Sequence, residues 1–264
     1  MRAHDAMAEA SARLRAAGLP SPVPDARILL NHLLGGSRPL VFAPALTDDQ
    51  REAYDAMVRR REAGEPVQHI TGVAPFRYEE LRVGPGVFIP RPETEQLVEL
   101  ALQVLAKRPA GQRRVVELCA GSGAITLCLA HEIGGAELHA VELSDAAWPY
   151  LLDNLRGLEV DLVHGDMAEA FRPLDGTVDL VVTNPPYVPE TDAHLIPADV
   201  LGGDPAVALF SGQDGMDALR VVRDVACRLL RPGGHVLAEH DEKQSLAVTQ
   251  LFGGPDFELT RDLA

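Results

Sequence analysis

Residues 115–124 run Val115-Val116-Glu117-Leu118-Cys119-Ala120-Gly121-Ser122-Gly123-Ala124: a short apolar strand, a glycine turn and the opening of a helix that continues to Glu132. The two glycines let the backbone turn tightly and pass close to a ligand, and the helix that follows begins with unpaired N–H groups. Taken alone, Gly-x-Gly suits an ordinary strand-to-helix turn equally well. The same alternation continues downstream. Strands are expected over 137–142, 160–163, 178–182 and 235–239, and helices over 145–155, 217–230 and 243–251. Strand and helix alternating at this spacing predict an α/β fold, a mostly parallel Rossmann-like sheet with helices on both faces.

Upstream the pattern changes. Residues 4–17 read as a helix stopped by Gly18-Leu19-Pro20, and a second helix runs from Pro24-Asp25 to Gly35-Gly36. A third follows the capping cluster Thr47-Asp48-Asp49 and reaches Arg61 or Glu62. Together they make a small helical bundle. Phe76-Arg77-Tyr78 and Leu81-Arg82-Val83 alternate like the arms of a hairpin. In Ile89-Pro90-Arg91-Pro92-Glu93 each residue before a proline is pushed into extended backbone, and a helix opens at Thr94-Glu95. The expected organisation is a helical domain over 1–70, a hairpin and extended connector over 71–92, and an α/β domain over 93–264.

Composition narrows the function classes. With 46% hydrophobic residues in 264, the chain has enough apolar material for a core and is not disordered. Lys plus Arg is 24 and Asp plus Glu 39, a net charge of −15 that opposes tight, sequence-independent binding to nucleic acid. No run of about 18 apolar residues is present, so no membrane helix is expected. The first residues lack the apolar core of a secretory signal, which points to a cytoplasmic protein. Cys119, Cys128 and Cys227 lack metal-ligand spacing and read as buried reduced thiols, with no metal expected.

Candidate ligand residues cluster at strand ends. Glu142 closes the second strand about 20 residues after the glycines, where a Rossmann-like sheet reaches the ribose hydroxyls of a nucleoside. Leu143 follows it. In His164-Gly165-Asp166-Met167, Asp166 can pair with an adenine amine and Met167 can lie against the ring. Position 126 is Thr, so the third glycine of a dinucleotide fingerprint is missing. The acid-plus-glycine pattern resembles that of S-adenosylmethionine-dependent methyltransferases, which bind a nucleoside without a pyrophosphate.

Asn184-Pro185-Pro186-Tyr187 follows the fourth strand. An amide or aromatic amine nitrogen is a poor nucleophile because its lone pair is delocalised. Groups that accept hydrogen bonds from its N–H orient it and favour a more pyramidal geometry. Pro185 and Pro186 have no backbone N–H to compete, so they leave carbonyl acceptors, and the Asn184 side-chain oxygen adds another. Tyr187 can cover the planar acceptor group. Displacement at a sulfonium needs mainly alignment and exclusion of water.

With these residues in hand, the sequence resembles the N5-glutamine methyltransferases that modify peptide-chain release factors. The resemblance rests on 60–72 (Arg60-Arg61-Glu62-Ala63-Gly64-Glu65-Pro66-Val67-Gln68-His69-Ile70-Thr71-Gly72), on 83–95 around Ile89-Pro90-Arg91-Pro92-Glu93-Thr94, and on 184–189. Residues 25–30 and Gly212-Gln213-Asp214-Gly215-Met216-Asp217 are weaker echoes. The family implies a helical bundle that recognises the protein substrate and a seven-stranded methyltransferase domain. It implies transfer from S-adenosyl-L-methionine, leaving S-adenosyl-L-homocysteine, to a glutamine amide in a Gly-Gly-Gln loop. By position it puts the cofactor at Glu117, Cys119, Ala120, Gly121, Ser122, Gly123, Glu142, Leu143, Asp166, Met167 and Asn184. It puts the glutamine at Asn184, Pro185, Pro186 and Tyr187, with Phe88, Arg91, Pro92 and Thr94 near the methionine end of the cofactor and the glutamine entry. A release factor is the expected partner of a monomeric enzyme.

The chain departs from the family in places. Cys119 stands where a glycine is usual, Glu142 where an Asp is usual and Asp241 where a glycine is usual. Trp148-Pro149 is expected to interrupt the helix over 145–155. The tail, Thr260-Arg261-Asp262-Leu263-Ala264, stops before the family's final strand, which is expected to leave a gap or an exposed edge. These departures keep open a relative that methylates another nitrogen: a free amino acid, a guanidinium or another protein. Adenine-N6 methylation of nucleic acid is opposed by the charge, and a non-catalytic binding module by the intact Asn184 and glycine pair.

Overall fold

A computed structural model describes residues 2–36, 45–196, 198–254 and 256–258. The first elements are α1 (Ala3–Ala16), α2 (Pro22–Leu33), α3 (Asp48–Glu62), α4 (Val67–Thr71), β1 (Val73–Phe76), β2 (Glu79–Arg82) and α5 (Thr94–Ala106). Then come β3 (Arg113–Leu118), α6 (Ala124–Glu132), β4 (Ala136–Glu142), α7 (Trp148–Asn154), β5 (Val160–His164) and β6 (Val178–Thr183). The remainder is α8 (Ala198–Gly203), α9 (Ala206–Leu209), α10 (Asp217–Leu229), β7 (Leu230–Ala238) and α11 (Ser245–Phe252). The chain divides into one unit of Met1–Val73 with Pro197–Gly203 and another of Ala74–Ile196 with Asp204–Ala264.

The smaller unit is helical. A capping box starts α3: Gln50 N donates to Thr47 Oγ1 at 3.2 Å, and Thr47 N donates to Gln50 Oε1 at 3.1 Å. Leu14, Leu29, Leu30, Val58, Val67 and Ile70 form its core. Inside it lies an ion pair. Arg61 Nε donates to Asp25 Oδ2 at 2.8 Å, with the side chains 6% and 7% exposed. Arg61 Nη1 also donates to the carbonyl of Glu65 at 3.1 Å.

The larger unit holds a five-stranded sheet in the order β5-β4-β3-β6-β7, every pairing parallel, and a separate β1–β2 hairpin. Alternate residues of the central strands serve opposite faces. Val115 and Leu180 pack with Leu97, Ile125, Leu129 and Leu151 from α5, α6 and α7. Val116 and Val181 pack with Val222, Val225, Leu229 and Phe252 from α10 and α11. Phe76, Leu81, Val87 and Ile89 lie in the first of these cores, so residues 74–92 are part of the larger unit.

The structure changes several expectations. Helix α7 starts at Trp148 rather than 145, and Pro149 sits in its first turn, where the missing N–H costs nothing; the proline opens this helix and does not interrupt it. Strand β7 begins at Leu230, five residues early, because Val178 pairs with Leu230 and Leu180 with His235, leaving 231–234 as an irregularity in the ladder. Cys227 is exposed, not buried, while Cys128 is buried and Cys119 intermediate. Its neighbours Val225 and Ala226 take the buried side of α10 instead. Where the resemblance implies seven strands, five form the sheet among the described residues, and β7 is one edge of it. No helix among the described residues is long and apolar enough to cross a membrane.

Truncation of Asp25 leaves the Arg61 charge buried without its partner. Asp25→Ala is expected to cost about 3–5 kcal/mol, read as a lowered urea midpoint followed by circular dichroism.

Candidate active site

The strand order reverses direction between β3 and β6, and in an open parallel sheet a ligand crevice forms outside the carboxyl ends at such a point. A cavity of about 420 Å³ lies there. Four acidic side chains line it (Glu117, Glu142, Asp166 and Asp217), the buried Glu117 in its protonated form at neutral pH, and among the described residues no Lys or Arg does. Such walls favour a cation and oppose phosphate.

Glu142 ends β4 and ties two loops together. Its Oε2 accepts from Gly121 N at 2.7 Å and its Oε1 from Ser144 N at 2.7 Å. Between β3 and α6 the chain turns through three left-handed residues: Cys119 at φ +56°, Gly121 at +56° and Gly123 at +82°. The Cys119 position suits glycine better, so the Cβ there is held against a local penalty of about 1–3 kcal/mol. At Gly123 a Cβ would stand 2.7 Å from Leu151 Cδ1. Cys119 Sγ lies 3.6 Å from Met167 Sδ. Burial first, then the Glu142 charge, push its thiol up to about 12, so it remains protonated. Asp166 Oδ1 accepts from Ala168 N at 2.9 Å, which shapes the turn after β5.

Glu117 is the buried carboxylate behind this loop. Thr126 Oγ1 donates to its Oε2 in a short bond, and Thr126 N donates to the same oxygen at 2.9 Å. Burial pushes its carboxyl up to about 8; the Thr126 bonds oppose the shift and the Glu142 charge adds to it.

At the other end of the cavity, Asn184 follows β6. Its Nδ2 donates to Thr94 Oγ1 at 3.0 Å, and Thr94 Oγ1 donates to Glu239 Oε2 at 2.7 Å. The Tyr187 hydroxyl donates to Glu239 Oε1 at 3.3 Å. The loop is pinned from behind. Gln244 Nε2 donates to the Tyr187 carbonyl at 2.9 Å. Val188 N donates to the Leu209 carbonyl at 2.8 Å, and Ser211 N to the Val188 carbonyl at 3.0 Å. Gly215, at φ +73°, lets the 212–217 turn approach: a Cβ there would stand 2.3 Å from the Tyr187 carbonyl oxygen.

Most residues singled out from sequence come together on the cavity wall. Glu117, Cys119, Ala120, Gly121, Ser122 and Glu142 line it, as do Leu143, Asp166 and Met167. So do Phe88, Thr94, Asn184, Pro186 and Tyr187. Gly123, Pro185, Arg91 and Pro92 stand outside the wall. Arg91 instead pairs with the buried carboxylate of Asp204 and lies over the Phe88 ring, 5.0 Å from its centroid. Asp204 Oδ1 accepts from Ile89 N at 3.0 Å, so this pair holds the loop that leads to Thr94. Sequence reasoning missed Asp204, Gln244 and the apolar wall of Val207, Leu209 and Phe210. The only sequence signal near them is the 212–217 echo, which packs behind Tyr187.

The ionised form of Glu117 is disfavoured in the folded state, so folded protein holds a proton there that unfolded protein releases. Stability is therefore full below the ordinary glutamate range and declines as pH rises toward about 8. Glu117→Gln should flatten this decline, by an amount on the order of a few kcal/mol, visible in thermal melts between pH 5 and 8 at roughly half-unit steps.

Comparison with known proteins adds a second line. Residues 5–72 match the PrmC N-terminal domain, and residues 80–200 the methyltransferase small domain. The chain is 48% identical over 247 residues to a release factor glutamine methyltransferase of Streptomyces coelicolor, covering 93% of this chain and 87% of that one. It is 43% identical over 252 residues to one of Corynebacterium glutamicum, covering 94% and 88%. A 4-amino-L-phenylalanine/4-methylamino-L-phenylalanine methyltransferase of Streptomyces pristinaespiralis is 38% identical over 252 residues, covering 94% and 86%. With nearly half its residues shared along almost the full length of such a protein, and both of its parts matched by domain models, the chain belongs to the release factor glutamine methyltransferases.

Proposed function

We propose that this enzyme transfers a methyl group from S-adenosyl-L-methionine to the side-chain amide nitrogen of the glutamine in a release factor's Gly-Gly-Gln loop. The observation that carries the reading is the setting of Asn184. Its Nδ2 is committed to Thr94, and among the described residues no donor reaches its Oδ1, so the acceptor end is left to receive an N–H of the substrate. The net charge of −15 and the acidic cavity favour a protein acceptor over nucleic acid. Work on a translation factor implies a cytoplasmic enzyme, and we read it as a monomer.

The cavity fits the cofactor chemically. A sulfonium and an ammonium suit a wall that carries Glu142, Asp166 and Asp217 and, among the described residues, no Lys or Arg; Glu117 holds a proton and adds no charge. Glu142 uses one lone pair of each oxygen on Gly121 and Ser144, and the remaining ones are available to ribose hydroxyls. Leu143, Asp166 and Met167 would surround the adenine. When bound, the cofactor supplies a methyl carbon on a positively charged sulfur, which departs as a neutral thioether.

The protein's part is alignment. Asn184 Oδ1 would accept an amide N–H of the glutamine and turn its nitrogen toward the donor end of the cavity. Pro185 and Pro186 offer no competing N–H. Tyr187, Phe88 and the apolar wall would cover the amide and exclude water. The nitrogen gains the methyl group and passes one of its two protons to water as the product leaves, so the product is an uncharged secondary amide. Arg91 would support this end by fixing the Phe88–Thr94 loop through Asp204.

Incubation with methyl-labelled cofactor, with a release factor and with 4-amino-L-phenylalanine in parallel, tests the acceptor. Label on the Gly-Gly-Gln glutamine, mapped by mass spectrometry, is the expected result; label on the amino acid alone would overturn it. Asn184→Ala should lower kcat by about 10²–10³, as loss of an aligned catalytic hydrogen bond does, while the cofactor Kd, measured by calorimetry, moves little. Glu142→Ala should weaken cofactor binding by roughly 2–5 kcal/mol, the worth of two hydrogen bonds to a charged group; an unchanged Kd removes Glu142 from the site.

A further inference from the structure

A primary amide is nearly symmetric in shape and opposite in polarity at its two ends. Asn184 could present either end to a substrate without changing its outline. If Nδ2 faced the incoming glutamine, donor would meet donor and the nitrogen would be turned away. Something in the protein has to choose.

The choice can be followed through three side chains. Glu239 stands one residue past β7, and its backbone N–H donates to the Thr183 carbonyl at 3.0 Å, so its place is set by the sheet. As a carboxylate it can only accept. The Thr94 hydroxyl has a single hydrogen and gives it to Glu239 Oε2 at 2.7 Å. What remains on Thr94 Oγ1 toward Asn184 is a lone pair, and Nδ2 fills it at 3.0 Å; the same amide also acts directly on the Glu239 carboxylate, so both acceptors draw Nδ2 to this side. Oδ1 is thereby turned to the other side. The second carboxylate oxygen takes the Tyr187 hydroxyl at 3.3 Å, which orients the ring at the opposite end of the same loop.

We propose that Glu239 is a positioning residue: through Thr94 it fixes which end of the Asn184 amide faces the substrate, and through the Tyr187 hydroxyl it sets the ring that covers it. This rests on the reading of Asn184 as the acceptor of the glutamine N–H. It assigns to Glu239 no contact with either substrate, since its carboxylate is behind the loop and not on the cavity wall. Glu239→Gln is informative because it keeps shape while supplying a donor. With its NH₂ toward Thr94 the new amide reverses the hydroxyl, which then donates to Asn184 and draws Oδ1 away from the cavity; with its NH₂ toward the Tyr187 hydroxyl the direction at Thr94 is kept, so Thr94→Val is the deciding variant.

The test is steady-state kinetics on the full chain with a release factor and S-adenosyl-L-methionine, together with calorimetry of cofactor binding. E239Q should lower kcat by about 10–100-fold with KM and cofactor Kd within about threefold, since an interaction felt only in the reaction step has been lost. Thr94→Val should do the same, and Thr94→Ser, which keeps the hydroxyl, should recover most of the lost kcat. The E239Q/Thr94→Val double variant should be no slower than the slower single one, because both break one chain of bonds. An undiminished kcat in Thr94→Val, losses that multiply in the double variant, or no recovery with Thr94→Ser would each overturn the proposal. Should E239Q also lose cofactor binding, the Thr94 pair decides by itself. Full activity in Asn184→Ala would instead sink the reading of the acceptor site, so the two failures are distinct.

Discussion

Parallel strands all end on the same side, and in this sheet that geometry gathers residues distant in sequence at one edge. β3 delivers Glu117 and the Cys119–Gly123 turn, β4 delivers Glu142, β6 delivers Asn184, and Glu239 follows β7. The order β5-β4-β3-β6-β7 puts the reversal between β3 and β6, so the loops on either side fold away from each other and leave a cleft. Were the ladder to slip by one residue, the faces of these strands would exchange and the buried valines would point outward. The packing of Val115 and Val116 on opposite sides is therefore what keeps the site assembled.

Much of this was legible in the chain because it is written in local pattern. The alternation after residue 113, the glycine turn, the strand-end acid and Asn-Pro-Pro-Tyr each occupy a few consecutive residues. What was not legible is long-range pairing. Asp204 meets Ile89 and Arg91 across more than a hundred residues, Gln244 reaches the Tyr187 carbonyl, and Thr94 joins Asn184 to Glu239. No periodicity encodes such contacts. Arg91 shows the difficulty: a conspicuous cation between two prolines reads as a ligand group, yet its partner is a carboxylate of the same chain. The start of α7 and the early start of β7 were missed for a simpler reason. A proline permitted in a first turn looks the same in sequence as one that breaks a helix, and an irregular ladder carries no composition mark.

Departures from the family pattern find local employment. Asp241, which the resemblance marks as a departure, caps the turn ahead of α11: its side chain accepts from Lys243 N at 2.8 Å, and its own N–H donates to Gln244 Oε1 at 3.2 Å. That second bond orients Gln244, whose other end holds Tyr187. Cys119 keeps the left-handed backbone that a glycine would adopt freely, and it places a neutral sulfur beside Met167. The pair gives the floor of the cavity a soft, polarisable surface.

The extra methylene of Glu142 has the broadest effect. Its carboxylate spans the gap between Gly121 and Ser144, acting as a buckle between two loops. The ordering of those loops is settled when the chain folds. On the proposed reading, a nucleoside would share the spare lone pairs of an anion whose two loops are already tied together, which lowers the entropy of loop closure that weighs on affinity.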